Sequence, residues 1–166
     1  MFKKVCIIGC GLIGSSIARA IRKQNLSAKI VSSNRSDSVN KKVIELKIVD
    51  DSNSDIKKMA EGSDLIIIAA PLSSYEDIIL KIKDSLKNGS ILTDVGSVKE
   101  NVISLIEKNV PKNVSWISSH PIAGTEESGP EAGFSELFRN RWCILTPSKK
   151  AKEKDVKLLE TFWKKI

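Results

Sequence analysis

Six residues near the start of the chain, Gly9-Cys10-Gly11-Leu12-Ile13-Gly14, constrain the fold more than any other stretch. They follow a short β-branched run, Val5-Cys6-Ile7-Ile8, which reads as a buried strand, and they open the segment Leu12 to Arg22, which reads as a helix. Between a strand and a helix, each glycine of such a Gly-x-Gly-x-x-Gly has a physical reason. The first makes a tight turn, the second lets the backbone approach a pyrophosphate, and the third lets the helix pack on the strand. The helix N-terminus then presents unbonded N–H groups and a positive partial charge to the phosphates. The motif predicts dinucleotide binding, with Gly9, Gly11, Leu12, Ile13 and Gly14 around the pyrophosphate.

The same strand-then-helix rhythm continues. Strands are expected near Lys29 to Ser33, Leu65 to Ala69, Ile91 to Asp94, Val114 to Ser118 and Trp142 to Thr146. The first three are followed by helices at Ser38 to Leu46, Tyr75 to Leu86 and Val98 to Lys108, the fourth by a loop and short helix to Phe138, and the last by a helix from Lys152 to Ile166. Capping boxes at Ser73 with Glu76 and Ser97 with Glu100 mark two helix starts. This alternation predicts an α/β, doubly wound, mostly parallel sheet of Rossmann type, in one dinucleotide-binding domain over residues 1–166. The apolar stripe of the last helix, Val156, Leu159, Trp163 and Ile166, meets no stop signal, so the chain reads as cut short.

Composition removes several function classes. A chain of 166 residues can bury about 70% of its unfolded surface without disulfides or a structural metal, and its three cysteines do not form a secreted framework. No run approaches the ~18 apolar residues that a bilayer demands, and the four apolar residues before Cys10 are too few for a lipoprotein signal. The 27 Lys plus Arg against 20 Asp plus Glu are scattered along the chain, with one Tyr and four Phe for stacking bases. That fits a solvated surface and an anionic small ligand, and argues against nucleic acid as partner, while the short apolar runs argue against a membrane.

An NAD enzyme usually presents an acid to the ribose about 20 residues past the glycines. Here that position reads Ser33-Asn34-Arg35-Ser36. Asn34 does not repel a 2′-phosphate, and Arg35 with Ser33 or Ser36 can grip it, which points to NADP ahead of NAD. The alternative is a solvated turn, where Ser, Asn and Asp collect in any case.

Three polar clusters, Pro71-Leu72-Ser73, Asp94-Val95-Gly96-Ser97 and Ser119-His120-Pro121, fall where strands should end. In open parallel sheets ligands bind beyond the carboxyl ends of strands, which sets all three on one rim with the glycine loop and makes Pro71 and Asp94 cofactor contacts. His120 is the sole histidine. A neutral imidazole accepts a proton near pH 7, so its place at a strand tip nominates it as a base. Ser97 is either a helix cap, a substrate contact or both. Lys99, Thr125, Glu126 and Glu127 are either pocket groups or solvated polar residues. No second histidine or paired cysteine stands at ligand spacing, so no metal site is expected.

Gly9 to Gly14, Asp94-Val95-Gly96-Ser97-Val98-Lys99, His120-Pro121-Ile122-Ala123-Gly124-Thr125-Glu126, Ser128-Gly129-Pro130 and Ile144-Leu145-Thr146-Pro147 together resemble the prephenate and arogenate dehydrogenase family, in order along essentially the whole chain. The resemblance implies an NAD(P)-dependent oxidative decarboxylation in tyrosine biosynthesis, catalysed in the cytoplasm. A hydride leaves the ring carbon that bears the 4-hydroxyl while carbon dioxide departs. His120 would draw off the hydroxyl proton, Ser97 would orient that hydroxyl, and Thr125 and Glu126 would lie at the substrate side. Family members continue into a helical domain that forms a homodimer and supplies an arginine for the side-chain carboxylate. Arg139 and Arg141 precede the last strand and do not match that arginine. The isolated chain is therefore expected to bind NADP but to turn prephenate or arogenate over slowly. Two other readings fit the same residues: a non-catalytic NADP-binding remnant or sensor, and another NADP-linked hydroxyacid dehydrogenase or reductase.

Overall fold

The computed structural model describes residues 1–98 and 100–166, with residues 100–102 in backbone only. The strands β1 (Phe2–Ile8), β2 (Ser27–Ser33), β3 (Asp51–Asn53), β4 (Leu65–Ile68), β5 (Ile91–Asp94), β6 (Ser115–Pro121) and β7 (Cys143–Pro147) form one seven-stranded sheet. Its order is β3-β2-β1-β4-β5-β6-β7, parallel except for β7, which runs antiparallel to β6. The helices are α1 (Leu12–Lys23), α2 (Asp37–Glu45), α3 (Ile56–Ala60), α4 (Tyr75–Ile82), α5 (Glu100–Asn109) and α6 (Glu153–Lys165).

The strands are apolar on both faces because both faces are covered. Val5 and Ile7 of β1, Leu65 and Ile67 of β4 and Ile117 of β6 pack with Ile17 and Ile21 of α1 and with Leu159, Phe162 and Trp163 of α6. The alternate residues Cys6, Ile8, Ile66, Ile68 and Trp116 pack with Tyr75, Ile78 and Ile79 of α4 and with Ile106 of α5. Edge-on ring contacts at Phe162–Trp163 (5.6 Å) and Phe138–Trp163 (5.7 Å) seat α6 on the first face. Each such buried aromatic or aliphatic side chain contributes roughly 1.5–3 kcal/mol.

The register aligns the strand ends. Ile8 pairs with Ser33 on one side and Ile68 on the other, and Ile68 pairs with Asp94. The segments that leave these strands therefore share one edge. Between β1 and β4 the strand order reverses, which opens a crevice there.

Several expectations need correction. Strand β3 and helix α3 were not expected: three polar residues, Asp51, Ser52 and Asn53, complete the sheet edge beside β2 through backbone pairing, which leaves no apolar signal. The expected short helix before Phe138 is instead a run of turns. Gly129 sits at φ +86°, and a Cβ on Gly133 would lie 2.1 Å from Ser15 Oγ of α1, so this segment is pressed flat on α1. The helix expected to reach Leu86 is α-helical only to Ile82 and ends in a 3₁₀ turn, Lys83–Ser85. Ser73 caps nothing as a box, because a 3₁₀ turn, Leu72–Ser74, precedes α4 and the cap position falls on Ser74, without a side-chain cap bond. The second box rests on Glu100, whose side chain lies outside the described residues. Among the described residues no helix is long and apolar enough to cross a membrane.

Candidate active site

The glycine loop has the geometry its spacing predicts. Gly9 lies at φ +94°, and a Cβ there would stand 2.6 Å from the Ala69 carbonyl oxygen. At Gly14 a Cβ would be 2.0 Å from the Gly9 oxygen, so β1 and α1 approach as closely as glycine allows. Gly11 has nothing within 4 Å of the corresponding point and is exposed. It is the cap position of α1, with no side-chain cap bond and no acid in the first turn. The first in-helix bond is Ser15 N–H to the Gly11 carbonyl at 3.0 Å, so the amides of Leu12, Ile13 and Gly14 face outward from the helix start. An open glycine over an uncapped helix N-terminus fits a diphosphate.

Beside this loop lies a crevice of about 540 Å³. Gly9, Cys10 and Gly11 form its base, Ser33 to Ser36 one wall, and Ser74 with Asp77, Ile78 and Lys81 of α4 the other. Pro71, Gly129 and Pro130 line it as well. Val39, Ile56 and Ile78 give it an apolar lining of the kind a flat base requires.

Asn34 is turned inward. Its Oδ1 accepts the Cys10 N–H at 2.6 Å, and its Nδ2 donates to Asn40 Oδ1 at 3.0 Å and to the hydroxyls of Ser32 and Ser52 at 3.3 Å. The side chain expected to face the ribose thus ties the glycine loop to β2, α2 and β3. Ser33 is likewise buried, and its carbonyl accepts the Gly9 N–H at 2.9 Å. Arg35 and Ser36 are exposed; Arg35 Nη2 reaches across to Ser74 Oγ at 3.3 Å.

Asp94 is the clearest departure from the sequence reading. It is fully buried, which removes it from contact with a bound nucleotide. Its Oδ1 accepts Ser118 Oγ at 2.6 Å and the Ser119 N–H at 3.1 Å, and its Oδ2 accepts the Gly96 N–H at 3.0 Å and Tyr75 Oη at 3.3 Å. Burial, reinforced by the Asp94 charge, pushes the Tyr75 phenol up, so it stays a donor. Asp94 is the knot under the rim, holding the loop that carries Ser97 against β6.

His120 stands half-buried at the tip of β6, opposite Ile144 of β7. Alternate residues of a strand and cross-strand partners share a sheet face. His120 is therefore on the face of Ser118 and Asp94, the side from which the loop with exposed Ser97 leaves β5. Ser119 is on the other face, where Trp163 Nε1 donates to its hydroxyl at 3.2 Å. Around His120 the face is apolar and open: Ile144 is 54%, Trp142 83% and Ile122 45% exposed. His120 does not line the crevice at the glycine loop. It lies three strands along the same edge, about 14 Å at the usual strand spacing. Thr125 and Glu126 are exposed on the loop after β6, and Thr125 lines a second hollow of about 430 Å³ with Ile122, Arg139 and Arg141. Lys99 lies outside the described residues.

Sequence reasoning missed the α4 wall, although Ser74, Ile78 and Lys81 follow helical spacing. Among the described residues no group of three or more His, Cys, Asp or Glu is placed to hold a metal ion. Burial pushes the Cys6 and Cys10 thiols up to about 12, which makes both unreactive packing groups.

Residues 17–166 match the family model described as prephenate dehydrogenase, nucleotide-binding domain. A cyclohexadienyl dehydrogenase from Zymomonas mobilis is 34% identical over 166 residues, which are all of this chain and 56% of that protein. A prephenate dehydrogenase from Lactococcus lactis is 36% identical over 146 residues, 87% of this chain and 41% of that protein. The crystal structure of prephenate dehydrogenase from A. aeolicus in complex with hydroxyphenyl propionate and NAD+ superposes with a TM-score of 0.91, at 29% identity, over 99% of this chain and 57% of that one. The chain thus spans about half the length of the relatives it matches.

Proposed function

Because the chain belongs to the family of prephenate dehydrogenase nucleotide-binding domains, we propose that it carries the cofactor half, and part of the catalytic centre, of a cytoplasmic dehydrogenase acting on prephenate or arogenate, with NADP preferred to NAD. The observation that carries this reading is the single edge. An uncapped helix N-terminus over an open glycine stands at one end, and the sole histidine at the other. An extended dinucleotide covers that separation.

When bound, the nicotinamide supplies the hydride acceptor for the ring carbon that bears the 4-hydroxyl, as the carboxylate leaves as carbon dioxide. The chain does the rest. The amides of Leu12, Ile13 and Gly14 hold the diphosphate. His120 accepts the proton of the substrate hydroxyl, a role typically worth about 10²–10⁴-fold in rate. Ser97 orients that hydroxyl, and the carboxylate of buried Asp94 holds the Ser97 loop and β6 in fixed relation without touching substrate. Thr125 and Glu126 belong to the substrate side of the cleft, and dimerisation through a further helical region is part of the same reading. Membership in an enzyme family disfavours a sensor or remnant.

The deciding experiment is prephenate- or arogenate-dependent reduction of NADP by whichever length of the protein shows it. His120→Asn is expected to lower kcat at least about 100-fold with NADP affinity unchanged. A near-normal kcat removes His120 from the chemistry.

A further inference from the structure

Two cations face the crevice from opposite walls. Arg35 follows β2, and Lys81 lies on the last turn of α4, on the helix face it shares with Ser74, Asp77 and Ile78. Neither has a carboxylate partner among the described residues. Some exposed lysines are paired along their own helix, as at Lys157–Glu153 and Lys164–Glu160, both one helical turn apart. Lys81 stands the same one turn from Asp77 and yet makes no such pair. The walls already touch at the mouth, where Arg35 Nη2 donates to Ser74 Oγ at 3.3 Å. The hydroxyl of Ser36 lines the same wall as Arg35. One carboxylate, Asp77, lines the crevice against these two positive charges.

We propose that Lys81 is the second cation of a clamp for the 2′-phosphate of NADP, closing from α4 on the phosphate that Arg35 and Ser36 hold from β2. This rests on the NADP reading above and adds a specificity-determining residue from the opposite wall. A doubly ionised phosphate is best held by more than one cation, and Arg35 alone is offset by Asp77. A ribose without the phosphate gives neither cation a counter-charge. Lys81 should therefore act on NADP and be silent toward NAD.

The experiment is parallel titration of the chain with NADP and NAD, for the wild type, Lys81→Ala, Lys81→Arg and Asp77→Asn. The wild type is expected to bind NADP at least about tenfold more tightly than NAD. Lys81→Ala should weaken NADP about five- to twentyfold and leave NAD within about twofold, Lys81→Arg should restore most of the loss, and Asp77→Asn should tighten NADP alone. If the wild type prefers NADP and Lys81→Ala keeps that preference, the Lys81 clamp is overturned while the NADP reading stands. If Lys81→Ala weakens both cofactors equally, the clamp is also overturned, since the effect is not on the phosphate. If the wild type shows no preference for NADP, the NADP reading falls and the clamp with it.

Discussion

The Oδ1 of Asn34 accepts a hydrogen bond from the backbone N–H of Cys10 at 2.6 Å, joining the tip of β2 to the middle of the glycine loop. Through Nδ2 the same side chain reaches Asn40, Ser32 and Ser52, and Asn40 Nδ2 donates back to the Asn34 carbonyl at 3.0 Å. The loop that would hold a diphosphate thus takes its shape from a buried polar network, and such a network is rigid only while every member is satisfied.

Asn34→Ala is expected to destabilise the chain by roughly 1–3 kcal/mol, because the Cys10 N–H and the Asn40 carboxamide lose a buried partner. In thermal denaturation this appears as a drop of about 3–10 °C in Tm. Asn34→Asp keeps the acceptor for Cys10 but loses the donors to Asn40, Ser32 and Ser52. It should fall between wild type and alanine in Tm. An alanine variant with unchanged Tm would show that the network does not shape the loop.

Gly11 and Gly14 separate ligand approach from packing. Gly11→Ala places its Cβ in open space at φ −75°, so Tm should stay within about 2 °C while dinucleotide affinity falls at least about tenfold. Gly14→Ala drives its Cβ to 2.0 Å from the Gly9 oxygen, so both stability and binding should be lost. Thermal denaturation and cofactor titration of the two variants side by side check this. Equal losses of Tm would contradict the assignment of Gly11 to the ligand.

Much of this architecture was legible in the chain. The glycine spacing, the β-branched runs and the intervening helical segments specify the layers, and His120 and Ser97 could be put at strand tips because Ile117 and Leu92 mark the strands before them. What was not legible depends on partners distant in sequence. Asp94 was read as a cofactor contact because it ends a strand. Whether a strand-end carboxylate points out or is buried is decided by Ser118, Ser119 and Tyr75, which only the folded sheet brings to it. Asn34 turned inward for the same reason, since Asn40 and Ser52 wait beneath it. The polar strand β3 and the flat turn at Gly133 carry no apolar periodicity at all.

Asp64 sets a pH dependence. Partial burial raises its pKa, but hydrogen bonds from Lys87 Nζ and from the backbone N–H groups of Lys4 and Lys3 outweigh this and hold the carboxyl below its ordinary value. A carboxyl whose pKa is lower folded than unfolded contributes stability above the unfolded value, near 3.9, and loses it as pH falls through the folded value. Asp64→Asn should therefore lower Tm at pH 7 and lower it less at pH 2–3, where the wild type is losing the same contribution. An equal loss of Tm at both pH values would contradict the charged role of Asp64.

In the proposed function, one nicotinamide dinucleotide lies along the sheet edge from the glycine loop to His120. With a single histidine in the chain, the imidazole resonances in an NMR spectrum belong to that residue alone. Titration with NADP should shift both the Gly11 amide and the His120 ring signals in one saturable step. The 2′-phosphorylated ADP fragment, which lacks the nicotinamide, should shift the Gly11 amide and leave the His120 ring unmoved. A His120 signal that does not respond to saturating NADP, or that responds equally to the fragment, would overturn the placement of the nicotinamide beside His120.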